Sequence, residues 1–254
     1  MSTTAQPSTE PEPVVGRRRR AEHAARQLAA ISLAGLLLGL LVGGVGGRLA
    51  MMLLARLNPG LAGVVSDDGF VMGQFSLRST AGLLVIATAL GLVGAAGYAL
   101  LRGLRIGPGW FQVLTISAGS AVVVGQLLVH TDGVDFRLLQ PVGLAIALFV
   151  LIPGLYAALL TVLAERWLRP DSWFFRSRLR YVAPILLAYV VLVPLLPALV
   201  ALAILWLIRD RIQHGGRDTR VLASPLGPWL VRAALALLFV YSGVLLVQEV
   251  GLLV

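Results

Sequence analysis

The chain has 254 residues, 58% of them hydrophobic and only 13% charged, with a formal net charge of +9 and a mean hydropathy of +0.88. A soluble domain is near half apolar and about a quarter charged, so a water-soluble globule, a disordered chain and a collagen-like fibre are all excluded. What remains is an all-α, polytopic transmembrane helix bundle.

All 21 basic residues are arginine, asparagine occurs once (Asn58) and cysteine is absent. Arginine in place of lysine, beside abundant Ala, Gly, Leu and Val, reads as the codon bias of a GC-rich genome. No chemistry attaches to it. The missing cysteine excludes a disulfide framework, a thiolate nucleophile and any Cys-ligated metal.

Residues 1–27 read as a basic tail. Met1 to Gly16 is polar and proline-bearing with almost nothing to bury, the composition of a disordered segment, and Arg17 to Arg20 follow with Glu22, His23 and Arg26. A basic run before an apolar stretch resembles a secretory signal. Here the apolar stretch is too long and ends at Gly46-Gly47-Arg48 rather than at a small-x-small cleavage site, so the first span is expected to be retained.

Residues 28–254 read as the transmembrane domain. A helix needs about 20 apolar residues to cross the hydrocarbon, and six stretches qualify: Leu28 to Ala55, Thr80 to Leu101, Trp110 to Val129, Leu139 to Leu163, Val182 to Ile208, and Trp229 to Val254. Trp110, Trp206 and Trp229 sit at segment ends, and Trp167 and Trp173 lie just past the fourth, at the headgroup level that tryptophan prefers. Arginines concentrate in the tail, in the second connection (Arg102, Arg105) and in the fourth (Arg166, Arg169, Arg176, Arg178, Arg180). From Leu57 to Ser79 the first connection holds only Arg78, and from His130 to Leu138 the third holds only Arg137. The positive-inside rule therefore predicts a cytoplasmic N-terminus in a plasma membrane.

One connection disobeys. Arg209, Arg211, Arg217 and Arg220 lie between the last two segments, where six full spans would place them outside. The segment before them carries Pro184, Pro194 and Pro197, and proline within a span kinks or breaks the helix. Two readings stand: a kinked ordinary span that violates the charge rule, or a re-entrant, broken helix that returns to its starting side. The second leaves the C-terminus outside and hints at a permeation pathway.

Within the first span Gly35, Gly39, Gly43 and Gly47 recur every fourth residue, and Ala87, Gly91, Gly94 and Gly97 repeat the theme in the second. A four-residue period keeps them on one face, where another backbone can approach closely. The partner is another helix of the chain, a second copy, or another membrane protein. Arg48 follows the ridge; it either snorkels to the outer headgroups, pairs with Asp132, Asp135 or Glu249, or holds an anion.

Four of the twelve carboxylates and one of the three histidines gather in two predicted outer connections: Asp67 and Asp68 in the first, and His130, Asp132 and Asp135 in the third. Carboxylates in such loops suit a divalent cation, or general acid–base work on a lipid-linked substrate with an arginine on its phosphate. Asp-Gly turns are also ordinary loop chemistry. On the third segment Gln112, Thr115, Ser117, Ser120 and Gln126 would either line an interior or fasten helices together. The aromatic and arginine mixture from Trp173 to Tyr181 reads as a headgroup-level anchor, not a nucleic-acid surface. No P-loop, dinucleotide fingerprint, zinc-protease helix or nucleophile elbow is present, and no cofactor is demanded.

In the Gly47-Arg48-Leu49-Ala50, Asp67-Asp68-Gly69-Phe70 and Thr131-Asp132-Gly133-Val134-Asp135-Phe136-Arg137 stretches the chain resembles uncharacterised multi-pass membrane proteins of high-GC Gram-positive bacteria. That resemblance implies no activity and lends no site residues. Three functions follow from the residues: a non-enzymatic membrane component (assembly, scaffold or regulatory partner), a small transporter or channel, and an outer-face enzyme acting on lipid-linked substrates.

Overall fold

The computed structural model describes residues 14–66, 71–74, 76–104, 107–131, 135–172, 174, 185, 188 and 226–253. Among these the protein is a helical bundle: α1 (Val14–Leu38), a π-helical stretch (Gly39–Gly46), α2 (Gly47–Leu57), α3 (Leu77–Leu101), α4 (Gly109–Leu128), α5 (Asp135–Leu138), α6 (Val142–Trp167) and α7 (Leu226–Leu253). Five helical units are long and apolar enough to cross a membrane, the first being the continuous Glu22–Leu57 unit of α1, the π stretch and α2. The predicted fifth segment, Val182 to Ile208, and the arginines from Arg209 to Arg220 lie outside the described residues.

Local sequence sets the helix ends. Ser76 caps α3, its hydroxyl accepting from the Ser79 N–H at 3.4 Å, and α4 and α6 begin directly after Pro108 and Pro141. The turn before α4 holds Gly107 at φ +83, a conformation that costs glycine nothing. The first helix begins at Val14 and runs through residues 14–27 without a break. Alanine-rich sequence propagates a helix well, and Ala29 and Ala30 are buried with Phe174, with Ala25 and Ile185 packed half-buried against them.

The glycine ridge packs within the chain. A Cβ on Gly39 would stand 2.7 Å from the Ala87 carbonyl and 2.9 Å from the Gly91 Cα, so only glycine lets the π stretch meet α3 backbone to backbone. Gly35 likewise faces Ala95 and Gly91, and Gly43 faces Ala87; beyond Gly47 there is open space. From α6 the Tyr156 hydroxyl donates to the Gly91 carbonyl, and Gly94 leaves room for its ring. Here Ile31, Ala34, Leu38, Ala95, Tyr98, Leu160 and Ala164 form one buried cluster.

The polar third segment fastens helices together. Ser117 Oγ donates to the Gly154 carbonyl (2.9 Å) and Ser120 Oγ to that of Pro153 (3.1 Å), both at the proline of α6. Thr115 satisfies its hydroxyl on its own helix. These contacts tie α4 to α6, and α7 lies against the far side of α4.

Two contacts fix the direction of α7. At its start Arg232 Nε donates to the Leu104 carbonyl (3.0 Å), at the end of the bundle where α3 finishes and α4 begins. Near its finish the Glu249 carboxylate accepts from the Thr131 N–H (2.8 Å), just past the end of α4. So α7 runs parallel to α1 and α4. The end of α6 and the start of α7 lie at the same end of the bundle, together with Arg102 and Arg166. The first and last helices therefore finish at the same end of the bundle.

Candidate functional site

The end of the bundle where α2 and α4 finish carries the sequence-predicted polar residues. Between α2 and α3 the chain doubles back: the Gly63 N–H donates to the Met72 carbonyl (3.0 Å), the Met72 N–H donates to that of Val64 (2.8 Å), and Val65 bridges Val71. Gly63 and Gly73, at φ +94 and +74, supply the left-handed corners of this turn. It lies beside α2 and encloses a cavity of about 290 Å³ lined by Arg48, Met52, Arg56, Asn58, Met72 and Gln74 among others.

Arg48 is half-buried in the wall of this cavity, its Nη2 donating to the Gln74 carbonyl at 3.4 Å. Depth follows from neighbours. Leu54 packs against Phe136, Leu139, Ala145 and Ile146 near the start of α6, and Phe149, a turn deeper, lines the cavity. The floor therefore reaches below the rim of the helices.

Asn58, the chain's single asparagine, closes α2 and joins it to the start of α6. Its Nδ2 donates to the Leu54 and Gln140 carbonyls, and its Oδ1 accepts from the Gln140 N–H, each at 2.8 Å. The side-chain amide pairs with a backbone as a neighbouring strand would.

The predicted residues are dispersed. His130 is exposed at the end of α4, its Nδ1 3.2 Å from the Leu128 carbonyl. Glu249, an expected partner for Arg48, holds the Thr131 N–H instead. Asp135 opens the short α5, while Asp67, Asp68 and Asp132 lie outside the described residues. Among the described residues no three His, Asp or Glu side chains gather as a metal site would need. Gly35, Gly39 and Gly43 are taken up against α3, and Gly47 is open.

The opposite end holds a cluster that the sequence reading missed. Glu165, near the end of α6, accepts from the Tyr98 hydroxyl and from Arg102 Nε, each at 2.8 Å, and from Arg102 Nη2 at 3.3 Å. The two-pronged pairing orients the guanidinium as well as neutralising it. With the side chains 30% and 37% exposed, its role is to join α3 to α6 at the bundle end. Tyr98 and Arg102 stand one turn apart at a span end, and Glu165 is the sole carboxylate between Asp135 and Asp171. That isolation was the available signal.

No protein family matches the chain, and neither a curated protein nor a solved structure is significantly similar to it.

Proposed function

We propose that the protein is a non-enzymatic component of a membrane assembly that docks another transmembrane chain along α7. The observation that carries this reading is Tyr241. It sits midway along the Trp229–Leu253 span with its side chain 64% exposed, and its hydroxyl has no hydrogen-bond partner among the described residues. An apolar face needs nothing but lipid, whereas a hydroxyl at mid-span is left without water and favours a neighbouring helix.

The surrounding pattern fits. Leu230, Ala234, Leu237, Tyr241, Val244, Gln248 and Gly251 are all exposed and recur at alternating steps of four and three, which aligns them on one face. The first-helix glycine face, the other route to a partner or to a homo-oligomer, is covered by α3 in the folded chain. A transporter or channel draws little support, since Ser117 and Ser120 are spent on α6. The reading also assigns a cytoplasmic N-terminus in a bacterial plasma membrane. Arg102 and Arg166, at the end of the bundle where α1 begins, favour it under the positive-inside rule.

A photo-crosslinking phenylalanine analogue in place of Tyr241 tests the reading in native membranes. Expected is an adduct with one discrete polypeptide, absent when the analogue replaces Val85 on the equally exposed face of α3. Lipid adducts alone at both positions would remove the basis for a docking role, and an adduct with a second copy would make the assembly a homo-oligomer.

A further inference from the structure

The hydrogen-bonding side chains of α7 divide between its two sides. The charged ones are engaged within the chain, Arg232 donating to the Leu104 carbonyl and Glu249 accepting from the Thr131 N–H. On that side Ser242 is buried, Gly243 lies toward Val122 of α4, and Leu246 and Val250 pack half-buried on the bundle. The neutral ones, Tyr241 and Gln248, are exposed on the opposite side, and neither has a hydrogen-bond partner among the described residues. Seven residues separate them, two turns and about 10 Å along the axis, so they share one position of the four-and-three repeat. Leu237, Val244 and Gly251 hold its other position.

We infer that the chain docked along α7 is a second copy, paired in parallel about a two-fold axis along the membrane normal. This rests on the docking role proposed above. Two copies inserted alike carry α7 in the same direction and at the same depth, so each residue of the shared face meets its own counterpart. Such an interface admits only groups that can bond to themselves. A tyrosine hydroxyl and a glutamine amide both donate and accept, so two copies of each satisfy one another. An arginine or a glutamate would meet a like charge. Those are the two side chains that α7 engages within its own chain. Leu237 and Val244 supply apolar layers beside the polar ones, and the four-and-three spacing suits the shallow left-handed crossing usual between membrane helices.

The chain has no cysteine, so single cysteines on α7 report this pairing in native membranes through oxidative disulfide formation. Leu237→Cys, Val244→Cys and Gly251→Cys keep both polar groups and should give linked dimers. Val240→Cys and Val247→Cys, exposed but beside the shared face, should give at least fivefold less. With Val244→Cys as reporter, Tyr241→Phe should lower the linked fraction about fivefold, the value of one interhelical hydrogen bond. Gln248→Arg, which sets like charges opposite one another, should lower it at least tenfold. Equal yields on and beside the face would mark chance collisions and overturn the proposal, as would a linked fraction that neither Tyr241→Phe nor Gln248→Arg changes. Absence of linked dimers at every position would overturn it too, and the photo-adduct at Tyr241 then separates the two readings. An adduct with a different polypeptide removes only the second copy, whereas an adduct with lipid or within the same chain removes the docking role as well.

Discussion

The first and last spanning units of this bundle are equally apolar and pack very differently. The unit containing α1 and α2 has half of its most hydrophobic window buried, whereas α7 has 6%. Mean hydropathy does not separate them, at 2.4 for the first unit and 2.3 for α7. Small residues do. Where Gly35, Gly39 and Gly91 remove side chains, backbones meet, Tyr156 reaches a carbonyl and Glu165 gathers two donors. Along α7 a Cβ on Gly243 would meet only Val122, at an ordinary 3.7 Å, and Gly251 faces open space. Apolar surface puts a helix into lipid but cannot choose its neighbour there, because lipid is as apolar as leucine.

Glycine substitutions break this contrast most sharply. Gly91→Val should cost about 3 kcal/mol, since its Cβ would stand 2.6 Å from the Gly39 Cα. Gly97→Ala, on the same helix with nothing within 4 Å, should be neutral or stabilise by up to about 1 kcal/mol. Thermal unfolding in detergent compares the two, and similar losses would mean that the ridge is not a backbone contact. Asn58→Ala removes three hydrogen bonds at the joint between α2 and α6 and should cost about 2 kcal/mol in the same assay.

Smaller effects sharpen the picture at the other end. Glu165→Gln keeps the shape and removes the charge, and should cost about 1 kcal/mol because the pair is partly solvated. High salt should weaken the wild type toward the variant, and a salt-independent difference would argue against an ionic joint. Smallest of all, Tyr241→Phe should change the stability of the isolated chain negligibly, by less than about 0.5 kcal/mol. The same substitution should reduce capture of a partner at α7. A large loss of stability there would mean that the hydroxyl serves the fold.

Much of the architecture was legible because its signals are one-dimensional. Hydropathy marked every spanning helix that the structure describes, and the spacing of Gly35, Gly39 and Gly43 marked a face that packs closely. What stayed hidden depends on the third dimension. Nothing in the sequence pairs Glu165 with Tyr98 and Arg102, some 65 positions away, or gives Asn58 to Gln140. Arg48 drew attention as a charge in an apolar run, but the cavity beside it is created by the α2–α3 turn folding back, and composition does not encode that geometry. The arginine-rich connection before α7 lies outside the described residues, and the contacts of Arg232 and Glu249 give only the direction of α7, parallel to α1.

That parallel arrangement underlies the placement of α7, its exposed face and its pairing of Glu249 with Thr131. The chain has no cysteine, so single substitutions report without background. Cysteines at Arg17 and at Leu252, each treated in intact cells with a membrane-impermeant maleimide, test it most directly. Labelling of one position from outside and of the other only after permeabilisation is the predicted result. Labelling of both from the same side of the membrane would contradict it.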